Sequence, residues 1–234
     1  MIAENVRKIR ERIDFACRKA GRDPESVTLI AVTKTFPADH VVEVVRSGVT
    51  DVGENYIQEL IEKRKAIGNI PVQWHFLGHL QSNKVKYIGD WIHLIHSVES
   101  LSLAKEVHKR AGESGRTIPV LIEVNTTGEA SKFGKKPEET LDFVRQLAGL
   151  SNIQIAGLMT IGPFLPDPEG SRPMFKTLKS LNEQLASLHQ GNVNPVHLSM
   201  GMSGDFEVAI EEGATMVRIG TALFGRRQKL QEAV

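Results

Sequence analysis

Cysteine is almost absent from this chain. Cys17 stands alone among 234 residues, so no internal disulfide can form, and neither His nor Cys neighbours it at metal-ligand spacing. The sequence therefore predicts a space-filling role for Cys17 on a helix and assigns no metal site. Net charge is nearly absent as well. With 29 Lys plus Arg against 28 Asp plus Glu, no broad field exists to hold nucleic acid or an anionic membrane nonspecifically, and any anion must bind locally. Long apolar runs are missing, since none approaches the roughly 20 residues of a membrane span. The opening Met1-Ile2-Ala3-Glu4-Asn5-Val6-Arg7-Lys8 carries charge where a signal sequence needs an apolar core. These absences predict a cytoplasmic protein with neither nucleic acid nor membrane as partner. A glycine-rich loop after the first strand is also lacking. Thr33-Lys34-Thr35-Phe36-Pro37 stands there instead, which removes the fingerprint of a dinucleotide-binding open sheet.

What remains suits a globular α/β chain, because 41% apolar residues over this length can bury a full core. Ile2, Val6, Ile9, Ile13, Ala16, Cys17 and Ala20 recur at steps of three and four, predicting an amphipathic helix over about 2–20 that ends at Gly21. Short β-branched runs then alternate with helical patterns. The strands are predicted at 28–33, 50–53, 72–77, 93–97, 118–124, 153–159, 195–199 and 215–219. Helices are predicted at 38–47, 55–66, 82–88, 100–113, 137–149, 171–189, 204–212 and 221–225. Eight such units predict one domain over 1–234, a single (β/α)₈ TIM barrel over about 28–225 preceded by the extra N-terminal helix. The proline-rich segment Gly162 to Pro168 reads either as a lid or as a spacer.

The functional face of such a barrel lies at the C-terminal strand ends, where this sequence offers Lys34, Glu54, Asn55, His79, Glu99, Asn125, Thr160, Ser199, Arg218, Gly220 and Thr221. Lys34 follows the apolar run Leu29-Ile30-Ala31-Val32. Burial there favours the neutral amine that attacks an aldehyde, although a strand-end lysine also snorkels readily into water. Ser199 to Asp205 and Arg218 to Thr221 follow strands seven and eight, the usual place for a barrel phosphate site. Gly201 and Gly220 permit close backbone approach there, while Ser199 and Thr221 offer hydroxyls. Ser203 and Asp205 read equally well as helix N-caps. Arg218 can point inward and donate to a pyridine nitrogen, which would leave that nitrogen unprotonated, or it can pair with Glu123 in the barrel wall.

Several segments together resemble the YggS/PROSC family of pyridoxal phosphate homeostasis proteins. They are Ala31-Val32-Thr33-Lys34, Gly53-Glu54-Asn55-Tyr56, Trp74 to Lys84, Gly157-Leu158-Met159-Thr160, Leu198 to Asp205 and Val217-Arg218-Ile219-Gly220-Thr221. The resemblance implies a barrel like the N-terminal domain of fold-type III alanine racemases, with pyridoxal 5′-phosphate held as a Schiff base on Lys34. It further implies Asn55 near the ring hydroxyl, Arg218 near the ring nitrogen, and Ser199, Met200, Gly220 and Thr221 around the phosphate. His79 and Lys84, in the stretch from His75, are left between the mouth of the site and a partner surface.

Racemases of that class draw a second base, a tyrosine, from a C-terminal β domain, which this sequence is read as lacking. Tyr56 and Tyr87 do not occupy an equivalent place. The expected role is thus a monomeric, non-catalytic carrier in vitamin B6 and amino-acid homeostasis, with apoenzymes that use pyridoxal phosphate as recipients. The alternatives are a racemase-like enzyme of unknown substrate and a class I aldolase acting through Lys34.

Overall fold

The computed structural model describes residues 1–129, 133–163 and 165–225. Its strands are β1 (Thr28–Val32), β2 (Asp51–Glu54), β3 (Gln73–Phe76), β4 (Leu94–Val98), β5 (Ile118–Glu123), β6 (Ile153–Met159), β7 (Val193–Met202) and β8 (Met216–Ile219). All eight are parallel and follow one another in chain order, and β8 returns to pair with β1, closing the barrel. Helices α1 (Ile2–Lys19), α2 (Ala38–Arg46), α3 (Ile57–Ile67), α4 (Leu101–Glu113), α5 (Pro137–Gln146), α6 (Arg172–Ala186), α7 (Phe206–Glu211) and α8 (Thr221–Phe224) accompany them. The barrel fold expected from the sequence is the one observed.

Two elements depart from expectation. Residues 82–88 form a 3-10 turn, Ser82–Tyr87, rather than an α-helix. Six residues that bury only Val85 have too little apolar face to hold a longer helix against the barrel. Strand β7 runs three residues past its expected end and carries Ser199, Met200 and Gly201 within it. This shifts the loop that follows.

Strand alternation divides the core into two layers. Ile30, Leu94, Leu121, Ala156, Met159 and Met216 form a compact apolar cluster of their own, the filling of the barrel. Their strand neighbours, among them Ala31, Ile95, Val120, Leu158 and Val217, join the larger cluster with the helices. Helix α1 buries the expected Ile2, Val6, Ile9, Ile13, Ala16 and Cys17 against α2, α7 and α8, covering the seam where β8 meets β1. Asn5 Nδ2 donates to the Leu223 carbonyl at 2.7 Å and fixes that packing.

Candidate functional site

A cavity of about 330 Å³ opens at the C-terminal ends of the strands, within the size range of small-molecule sites. Val32, Phe36, Leu77 and Ile161 supply apolar walls, while Lys34, Asn55, Arg218, Gly220 and Thr221 bring polar groups to it. Five of the seven site residues expected from the sequence therefore line one cavity.

Lys34 enters it from a turn that is held from behind. Thr35 takes a left-handed backbone, φ 67°, uncommon outside glycine, and its N–H donates to Glu59 Oε2 at 2.7 Å. The carbonyl of Thr33 accepts from Lys63 Nζ at 2.7 Å and from the Phe36 N–H at 3.0 Å. Lys63 also donates to Glu54 Oε1 at 2.6 Å and to Glu59 Oε2 at 3.0 Å, and Thr33 Oγ1 donates to the same Glu54 oxygen at 2.6 Å. Glu54 is fully buried, and burial raises its pKa despite the ammonium and hydroxyl beside it. Glu54 was offered by the sequence as a mouth residue. The structure puts it under the Lys34 turn, as part of the clamp.

Asn55 reaches the cavity because the segment just after β3 carries a glycine, Gly78. A Cβ on Gly78 would stand 2.2 Å from the Asn55 carbonyl oxygen, so the two segments approach this closely only with a bare α-carbon.

Arg218 lies on β8, facing inward and only 5% exposed. Burial lowers its pKa to about 10, with Asp205 and Glu123 opposing, so it remains a cation at neutral pH. Its Nη1 donates to Ser199 Oγ at 2.6 Å and its Nη2 to the Thr160 carbonyl at 2.8 Å. The direct pair with Glu123 weighed from the sequence is thus replaced by two neutral acceptors.

From Ser199 a line of hydrogen bonds descends the barrel interior. Ser199 Oγ is 2.9 Å from His96 Nδ1, His96 Nε2 is 2.9 Å from His75 Nδ1, and His75 Nε2 is 3.0 Å from Asp51 Oδ1. A guanidinium only donates, so Ser199 Oγ accepts from Arg218, and the order that matches every group has its hydroxyl donate to His96, which donates to His75, which donates to the carboxylate. Every member is matched in that order. Burial keeps the His96 imidazole well below its ordinary pKa, and hence neutral. Burial also pushes the Asp51 carboxyl up, but its interaction with His75, the hydrogen bond foremost, outweighs this and holds it below the usual carboxylate range.

Ser199 and Met200 do not line the cavity. Because β7 continues through them, Ser199 points into the barrel and Met200 outward into the layer under the helices, both with no exposed surface. Met202, Ser203 and Gly204 line the cavity in their place, three residues further along. Ser203 Oγ accepts from the Ala222 N–H at 3.3 Å and ties this loop to the one after β8. The sequence offered Ser203 only as part of this segment and as a cap. The strand's true length was the missing signal.

The stretch from His75 to Lys84 separates into unlike parts. His75 belongs to the interior line, Leu77 to the cavity wall and Gly78 to the Asn55 contact. His79 stacks on Phe133 with ring centroids 4.1 Å apart and pairs with Glu99 at 3.0 Å, while Lys84 lies 5.9 Å from the Tyr87 ring. Among the described residues, neither His79 nor Lys84 lines the cavity. Phe164, within the proline-rich segment, and the tail from Gln228 to Glu232 lie outside the described residues.

The chain as a whole is similar to known proteins. The family model described as alanine racemase, N-terminal domain, matches residues 2–228. The pyridoxal phosphate homeostasis protein of Aquifex aeolicus is 45% identical, covering 96% of this chain and 98% of its own. Its counterpart in Pseudomonas aeruginosa is 42% identical over 97% of this chain and 96% of that one. PipY of Synechococcus elongatus, solved with pyridoxal phosphate bound, superimposes with a TM-score of 0.83 at 34% identity, over 96% of this chain and all of PipY. With nearly full-length matches on both sides, this chain belongs to the pyridoxal phosphate homeostasis protein family, whose barrel is that of the alanine racemase N-terminal domain.

Proposed function

We propose that this chain is a cytoplasmic, monomeric, non-catalytic carrier of pyridoxal 5′-phosphate. The observation that carries the reading is the meeting of an amine, a guanidinium and two hydroxyl-bearing loops around one apolar-walled cavity. A planar ring bearing an aldehyde and a phosphate fits that donor set. Val32, Leu77 and Ile161 would flank the ring, and Lys34 would supply the amine that holds the aldehyde carbon. Arg218 would face the ring nitrogen, where a permanent donor keeps the nitrogen unprotonated. Asn55 would stand by the ring hydroxyl. Gly220 and Thr221, with Ser203 and Gly204, would take the phosphate through hydroxyls and close backbone approach.

When bound, the cofactor supplies an electron-withdrawing ring, and two features of the chain restrain its use in turnover. Arg218 is fixed by two bonds and cannot give up its charge to the ring. Neither tyrosine of the chain lines the cavity, and Tyr56 and Tyr87 are 54% and 46% exposed, so no phenol stands ready to exchange a proton with a bound amino acid. The names carried by the relatives favour the same role.

The test is to load the protein with pyridoxal phosphate and present it to an apoenzyme that needs the cofactor, with and without a scavenger of the free form. The expected result is visible absorbance lost in Lys34→Ala, transfer to the apoenzyme, and no steady turnover of amino acids. Steady turnover abolished by Lys34→Ala would instead establish an enzyme.

A further inference from the structure

At the floor of the barrel, opposite the cavity, the line of hydrogen bonds ends in a second cluster. Asp51 opens β2, His75 lies on β3, and His93 immediately precedes β4. One carboxylate oxygen and one nitrogen from each imidazole lie within 4.8 Å of one another. We propose that Asp51, His75 and His93 form a binding site for a divalent transition metal ion of the zinc type, which ties β2, β3 and β4 together at the barrel floor.

Ligand chemistry supports the choice. Two imidazoles and one carboxylate suit zinc and its first-row neighbours, and disfavour magnesium or calcium, which seek oxygen. Zinc holds such atoms at about 2.0–2.2 Å, so its ligands stand no more than about 4 Å apart, and only a small closing of the cluster is needed. Three protein ligands leave a position for water, and Asp51, with 24% of its side chain exposed, opens the site to solvent.

The ring of His75 is already prepared. It is completely buried, and the nitrogen not facing Asp51 is held by His96 at 2.9 Å. Metal-bound histidines commonly have their second nitrogen fixed in this way, which sets the ring's orientation and tautomer. Metal on Nε2 places the His75 proton on Nδ1, from which it donates to His96, and His96 then donates to Ser199. Each ring keeps one proton and moves it to its other nitrogen. The line then runs toward Ser199, which already accepts from Arg218.

The experiment titrates the full chain with Zn²⁺ alone against a chromogenic chelator, and with Co²⁺ to read coordination geometry from its visible absorption. One equivalent is expected to bind, with affinity at least about tenfold lower in His93→Ala and in Asp51→Asn. His189→Ala, a change at an exposed histidine outside the cluster, is expected to bind as the parent does. His93 lies at the rim, so its loss leaves the core intact, and circular dichroism verifies that each variant is folded. Equal zinc affinity in the parent and folded His93→Ala overturns the proposal. So does a Co²⁺ spectrum showing only the hydrated ion.

Discussion

The hydroxyl of Ser199 lies 2.6 Å from Arg218 Nη1 and 2.9 Å from His96 Nδ1, linking a cation at the cavity to a neutral imidazole inside the barrel. Three strands, β4, β7 and β8, meet at this one oxygen. In Ser199→Ala both neighbours lose a partner where no water reaches, at a cost of about 1–3 kcal/mol. Denaturant midpoints are expected to fall accordingly, and retention of pyridoxal phosphate to weaken with them. Unchanged stability with weakened retention would mean that Ser199 touches the phosphate directly.

Gly78 governs Asn55 through a close approach. In Gly78→Ala the new Cβ has to displace the Asn55 backbone, from which it would otherwise stand 2.2 Å. The expected outcome is weaker retention of pyridoxal phosphate by about tenfold, equivalent to ~1.4 kcal/mol, read by dialysis against buffer.

Lys63 neutralises a carboxylate that has no access to water. Lys63→Met leaves Glu54 buried without its cation and is expected to destabilise the fold by about 3–5 kcal/mol. Adding Glu54→Gln removes the uncompensated charge, so the double variant regains part of the loss in urea unfolding. The single variant is also expected to release pyridoxal phosphate faster, since Thr33 and Thr35 on either side of Lys34 both depend on this cluster.

Glu123 gives the fold a pH dependence. Burial, then the charge of Glu99, raises its pKa to about 7 from 4.5, with Arg218 opposing. The folded state thus holds a proton that the unfolded chain releases. Its contribution is complete below about pH 4.5 and is lost as pH rises through about 7, on the order of 3 kcal/mol. Glu123→Gln keeps the uncharged form at every pH. The variant is therefore expected to match the parent near pH 4.5 and to exceed it at pH 8, in denaturant midpoints across that range.

Much of the fold was legible before any coordinate. Periodicity is a local property, so eight alternations of period 2 with period 3.6 identified the barrel, and the spacing of Ile2, Val6, Ile9 and Ile13 identified the buried face of α1. Lys34, Asn55, Arg218 and Thr221 were legible as polar residues at strand ends, and Gly220 as a place for close backbone approach beside them. Ser199 and Met200 stand apart from the cavity lining in the structure, and the run of β7 on through Met202 was not legible because a strand boundary is weakly encoded. Three residues of extension exchange a loop for an alternating pair, one side chain inward and one outward.

By itself, then, the sequence determined the architecture and put the amine of Lys34 and the guanidinium of Arg218 at the mouth of the barrel, where they line one cavity. Only the tertiary structure decided what lies beneath. His96 and Ser199 are 103 residues apart, and Asp51, His75 and His93 come from three successive units. Closing the barrel brings their inward faces together, and no local periodicity can encode a meeting that depends on closure and strand register.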